Sequence, residues 1–156
     1  MTKTKYCWDS SVFIALLQGE RSRGGDFDAL LEVIDAFDRG HVTIITCGTA
    51  ISEVIGDAAS PQIPAMFDTL MQRHGFSLSW PGPAIAERVR RLRIDGRADG
   101  RKLKTPDCNF IATAILLHCD ALHTFDEGLI ALSESALVDG LIITKPRGEQ
   151  TILSLL

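Results

Sequence analysis

Four acidic residues carry the chemistry this chain is equipped for: Asp9, Glu53, Asp107 and Asp126. Asp9 closes the strand-like run Tyr6-Cys7-Trp8, and Glu53 follows the apolar run 42–46 by two helical turns. Asp107 opens a helix, and Asp126 ends Ala121-Leu122-His123-Thr124-Phe125. In an open α/β sheet these places converge, because ligands bind in the crevice beyond the carboxyl ends of the strands. Carboxylates gathered there without basic partners repel one another and raise each other's pKa, so such a set persists mainly where a divalent cation neutralises it. Hard Mg2+ or Mn2+ ions take oxygen ligands, keep several waters and accept a substrate phosphate as a further ligand. The expected chemistry is therefore hydrolysis of a phosphate ester by metal-activated water, with no side-chain nucleophile. Ser10 and Thr124 are expected to support the carboxylates or a bound water, whereas Ser11 is assigned to helix capping.

Each acid also has a structural role open to it. Asp107 suits the positive end of a helix dipole after Thr105 as N-cap and Pro106 as first helical residue, worth about 0.3–1 kcal/mol. Asp126 can cap the turn before Leu129 and Ile130, and Asp9 can end a strand in a turn. Glu53 is harder to account for, lying among Ala50, Ile51, Val54 and Ile55 in a mostly apolar helix. The common position of all four at one sheet edge favours the functional reading. No nucleophile system competes with it, since His41, His74, His118 and His123 have no evident triad partners. Cys7, Cys47, Cys108 and Cys119 are scattered, without a Cys-x-x-Cys pair, and read as small buried hydrophobes in a reducing compartment.

The elements that must position these residues alternate between strand and helix. Strands are expected at 5–8, 42–46, 76–80, 121–125 and 141–144. Helices are expected at 11–17, capped by Ser10, then at 26–39, 48–55, from Ser60-Pro61 towards His74, at 83–94 and at 106–118. The segment 96–104 reads as a loop, and the apolar tail 151–156 as a final short strand. This alternation predicts an α/β fold with a mostly parallel sheet sandwiched by helices.

At 156 residues, with 46% hydrophobic and 23% charged, the chain has the size and composition of one soluble domain spanning 1–156. No apolar run approaches the roughly 20 residues that cross a bilayer, so a cytoplasmic protein is expected. The net charge of -4 hides a division. Arg88, Arg90, Arg91, Arg93, Arg97, Arg101, Lys102 and Lys104 are opposed within 88–104 only by Asp95 and Asp99, giving +6 there and -10 elsewhere. An acidic body with one basic tract suits a polyanion held by its phosphates beside a carboxylate site. The tract contains no aromatic residue, so base stacking is not expected within it.

Together, Asp9-Ser10-Ser11 after a short apolar strand, Glu53 after the second strand, Thr105-Pro106-Asp107 leading into Phe110-Ile111-Ala112-Thr113-Ala114, and Thr124-Phe125-Asp126 resemble the PIN domain family. The resemblance spans nearly the whole chain, and its size is similar to that of the toxins of VapBC toxin-antitoxin pairs. It implies a three-layer α/β/α sandwich and a Mg2+- or Mn2+-dependent endoribonuclease whose metal is held by Asp9, Glu53, Asp107 and Asp126. It also implies a homodimer inhibited by a small antitoxin. Cys108 departs from the Ala common after the helix Asp, a sterically mild change. The alternatives are a housekeeping RNA-processing nuclease and a PIN-like scaffold that binds RNA or protein without cutting. A haloacid-dehalogenase-type enzyme is disfavoured because Ser11 stands where a second Asp is needed. A receiver domain is disfavoured because Trp80 ends the third strand.

Overall fold

The computed structural model describes residues 3–148, so the strand expected at 151–156 lies outside the described residues. Five strands, β1 (Thr4–Trp8), β2 (Val42–Cys47), β3 (Phe76–Ser79), β4 (Ala121–His123) and β5 (Ile143–Thr144), form one sheet in the order β3-β2-β1-β4-β5. Every pairing is parallel, as β-helix-β alternation demands. The helices are α1 (Ser10–Gln18), α2 (Gly25–Asp38), α3 (Thr49–Glu53), α4 (Ile63–Met71), α5 (Pro83–Ala98), α6 (Thr105–Leu116) and α7 (Glu127–Ile130). They cover both faces of the sheet, the α/β/α arrangement expected. No helix among the described residues is long and apolar enough to cross a membrane.

Central strand β1 explains the layering. Its last three residues, Tyr6-Cys7-Trp8, are buried on both faces. Trp8 points to the layer of α1, α2 and α4, meeting Phe13 and Phe76 edge-on at 5.3 and 6.1 Å. Phe13 in turn meets Phe67 at 5.1 Å, and Phe37 meets Phe76 at 4.4 Å. Cys7 points the other way, its thiol 3.7 Å from the carbonyl of Phe110 in α6. The chain therefore winds outward from β1 in both directions. The strand order reverses between β1 and β4, and that switch point is where a crevice opens beyond the carboxyl ends.

Several local expectations are corrected. Asp9, not Ser10, caps α1, and Lys104, not Thr105, precedes α6. The fourth helix begins at Ile63 with Pro64 in its first turn, because the Ser60-Pro61 segment is taken up by a turn in which Asp57 Oδ1 accepts from the Ala59 amide. The last strand is shortened to Ile143–Thr144, and the third ends at Ser79. The loop expected at 96–104 is shorter, since α5 continues through Gly96 to Ala98. Tertiary packing overrides the glycine there: Leu103 folds back onto it, and a Cβ on Gly96 would stand 2.9 Å from Leu103 Cδ1.

Candidate active site

Asp9 follows β1 directly and is held by both ends of its carboxylate. Oδ1 accepts from Ser11 Oγ at 2.6 Å and from the Val12 amide at 3.4 Å, while Oδ2 accepts from Thr124 Oγ1. Only 6% of the residue is exposed. Burial pushes its carboxyl from the ordinary 3.8 up to about 6, against the opposing pull of these hydrogen bonds. The hydroxyls also lock β1 to the segment after β4 across the switch point. Ser11 Oγ accepts from the Phe125 amide at 3.0 Å, and Thr124 Oγ1 accepts from the Asp126 amide at 3.0 Å. Ser11 is thus a bridge between the two strand ends, a role beyond the capping expected of it.

Glu53 is the last residue of α3, the short helix that β2 feeds. Its Oε1 accepts from Ser10 Oγ at 2.6 Å, so Ser10 supports the acid set as expected, through Glu53. Asp126 caps α7, its Oδ1 accepting from the Gly128 and Leu129 amides at 2.8 and 3.3 Å. The structural role open to it is therefore real. It leaves the second carboxylate oxygen without a hydrogen bond among the described residues.

Asp107 occupies the first turn of α6, half-buried. Its carboxyl is raised by burial first, then by the negative charges of Asp126 and Glu53; Lys104 opposes weakly. Asp126 and Glu53 therefore both stand close enough to act on Asp107, although α3, α6 and α7 are far apart in sequence. None of the four has an arginine or lysine ion pair among the described residues. An uncompensated set of this kind is the donor chemistry a hard divalent cation satisfies. Among the described residues, however, no three such side chains are gathered closely enough to surround one ion by themselves.

Two contributors were not foreseen. Asn109, one turn into α6, donates to Thr49 Oγ1 at the start of α3 at 2.9 Å, fixing the helices that carry Asp107 and Glu53 relative to each other. Each residue alone reads as an ordinary polar helix position, so local sequence offered no signal. His123 is fully buried, with Nδ1 accepting from Trp8 Nε1 at 3.1 Å and its pKa lowered to about 3 by burial, then by Arg147. A neutral imidazole tied to tryptophan is a core element.

The basic tract divides. Val89, Leu92 and Gly96 bury one side of α5, leaving Arg90, Arg91, Arg93 and Arg97 exposed. The Arg88 side chain, 11% exposed, pairs with Asp139 at 2.8 Å and clasps α5 to the turn before β5. Arg93, Arg97, Arg101 and Lys102 line a hollow of about 410 Å³, with Arg101 also paired to Asp99. Lys104 lies beside Asp107.

No curated protein matches the chain. Among solved structures it is similar to VapBC2 from Rickettsia felis, bound to a DNA fragment from their promoter. The TM-score is 0.68 at 12% identity, covering 90% of this chain and 97% of the other. It is similar to VapC20 from Mycobacterium tuberculosis, a Sarcin-Ricin loop cleaving toxin, with a TM-score of 0.63 at 12% identity over 81% and 93% of the two chains. A toxin-antitoxin complex from Klebsiella pneumoniae gives 0.56 at 21% identity over 78% and 86%. At such identities the likeness is one of fold. The sequence itself matches the PIN domain family over residues 6–134, most of its length, and the chain belongs to that family.

Proposed function

We propose that the chain, as one domain over 1–156, is a Mg2+- or Mn2+-dependent endoribonuclease and the toxin of a toxin-antitoxin pair, acting in the cytoplasm. The observation that carries this reading is the raised carboxyl of Asp107, held up first by burial and then by the charges of Asp126 and Glu53, with no ion-paired arginine or lysine among the described residues. The VapC and VapBC likenesses support the same reading at the level of fold.

In this reading Asp9, Glu53, Asp107 and Asp126 would hold the metal, partly through water, since no three of them are gathered closely enough to surround one ion by themselves. Bound there, the metal would supply activation of water and charge neutralisation at the scissile phosphate. The chain's own part is orientation. Ser11 and Thr124 aim Asp9, Ser10 aims Glu53, and the Asn109–Thr49 bond sets Asp107 against Glu53. The exposed arginines of α5 with Arg101, Lys102 and Lys104 hold RNA phosphates, and Arg88 sets the helix that presents them. A homodimer and a small antitoxin are the proposed partners.

The wide spacing of the acids favours one competing reading, a PIN-like module that binds RNA or protein without cutting. Cleavage of structured and unstructured RNAs with Mn2+, then with a chelator, separates the two. Asp107→Asn should abolish metal-dependent cleavage while the fold persists; full activity in that variant would remove the acid set from the chemistry. Expression of the chain alone should arrest growth, and co-expression of an adjacent small gene should rescue it. Harmless expression of an active enzyme would point to RNA processing instead.

A further inference from the structure

The chain has ten aromatic residues, and Trp80 stands apart from the rest. It is 67% exposed, the one exposed aromatic side chain among the described residues. An indole in water forgoes a large burial gain, so its placement calls for a reason.

Its position supplies one. Trp80 immediately follows β3, at the carboxyl edge of the sheet that carries the acids. Cys47 pairs with Ser79 and Cys7 with Ile45, so continuing the register by two residues sets Asp9 level with Cys47 and Ser79. Trp80 therefore rises about 10 Å from Asp9 along this edge, two strand spacings away. Its seating is equally notable. The six-membered ring lies on Gly48, where a Cβ would stand 2.7 Å from Trp80 Cε3 and 3.0 Å from Cζ3. Pro81 behind it confines the backbone of Trp80 to extended conformations. One side of the ring is seated on the backbone that leads into α3 and Glu53, and the rest is open to solvent.

We propose that Trp80 is a stacking platform for one unpaired base of a single-stranded RNA segment, flanking the scissile phosphate. The proposal rests on the ribonuclease reading of this edge and deepens it by naming the substrate's conformation. Stacking needs a base free of its helix, and a fixed indole face accepts any base while losing little side-chain entropy. The basic tract, which has no aromatic residue, holds phosphates, and Trp80 holds a base. A protein partner would use the same apolar surface differently, burying it without regard to nucleic acid, and is the outcome that overturns the proposal.

The test uses the intact chain and single-stranded oligo(A) and oligo(U) of about 12 nucleotides, within the usual span of single-strand sites. Binding is read in chelator by the fluorescence anisotropy of an end-labelled oligonucleotide for every variant, and by tryptophan quenching for those that keep Trp80. Trp8 is buried and serves as an internal control, so quenching should arise from Trp80. Trp80→Ala should weaken binding about tenfold or more, Trp80→Phe should retain most of it, and an RNA hairpin without a loop overhang should quench little. Gly48→Ala keeps the indole but tilts it off its seat, and should weaken binding in the same direction. With Mn2+, Trp80→Ala should raise KM far more than it lowers kcat. Equal affinity of wild type and Trp80→Ala for both oligonucleotides overturns the platform, as does a defect of Trp80→Ala confined to self-association or antitoxin capture. If wild type quenches on RNA but cleaves none with Mn2+, the nuclease reading falls and the platform stands. If wild type cleaves and Trp80→Ala matches it in KM, the platform falls and the nuclease reading stands.

Discussion

Replacing Asp9 by Asn should stabilise the metal-free protein, and by an amount that depends on pH. The folded carboxyl titrates at about 6 instead of 3.8, mainly because burial disfavours its charge. A rise of that size corresponds to roughly 3 kcal/mol of destabilisation once the group is fully ionised, at about 1.4 kcal/mol for each tenfold change in proton affinity. The folded state binds the proton more tightly than the unfolded state, so the charge costs nothing below the unfolded value. Stability is then lost as pH rises from about 4 to about 6, and the loss is constant above that. Asn never ionises and escapes it. Its Oδ1 can accept from Ser11 and Val12, but its amide would donate to Thr124 Oγ1 and leave that hydroxyl proton without its acceptor, a cost of about 1 kcal/mol. The net gain at neutral pH is about 1–2 kcal/mol, or about 2–8 °C in Tm for a domain of this size. Paired thermal melts in chelator, from about pH 4 to about pH 8, measure it. The advantage should reverse at the acid end to a deficit of about 1 kcal/mol, where only the lost hydrogen bond remains, and reach its plateau above about pH 6. A variant that is less stable at neutral pH, or a difference that ignores pH, would refute the claim that buried charge on Asp9 is uncompensated.

Ser10→Ala removes the 2.6 Å bond to Glu53; a loss of about 1.5 kcal/mol is expected for a half-exposed charged acceptor. Denaturant titration checks the stability, and in the nuclease assay kcat should fall with KM little changed. Changing Arg90, Arg91 and Arg93 together to Ala should flatten the salt dependence of RNA binding, by about 0.7 in log-log slope for each single-strand phosphate that the variant no longer neutralises. An unchanged slope would make these arginines ordinary solvated surface. Gly96→Val should destabilise by about 1–3 kcal/mol through overpacking, because even a Cβ there meets Leu103 at 2.9 Å. Chemical denaturation with unchanged cooperativity is the check, and a neutral result would mean that the 99–103 segment moves aside freely.

How much of this was legible in the chain differs from element to element. The acids at 9, 53, 107 and 126 could be picked out because strand-to-helix junctions are written locally, in apolar runs followed by helix-opening residues. Boundaries fared worse where a distant residue decides them. Gly96 looked like a helix end and is helical because Leu103 packs on it. Ser60-Pro61 looked like a helix start and belongs to a turn preceding Ile63. Ser10 looked like a cap, but Asp9 takes that place and frees Ser10 for Glu53.

By itself the order of amino acids determined the alternation of strand and helix, the acidic residues at strand ends and the single basic tract. Periodicity and composition are properties of neighbours along the chain, so they survive without coordinates. The strand order β3-β2-β1-β4-β5, and with it the switch point between Asp9 and Thr124, was decided only on folding. So were the hydroxyl bridges of Ser11 and Thr124, the Asn109–Thr49 tie and the open indole of Trp80 on Gly48. Each joins residues that are distant in sequence, and a side chain's partner across such a gap is set by how layers pack, which no local pattern encodes.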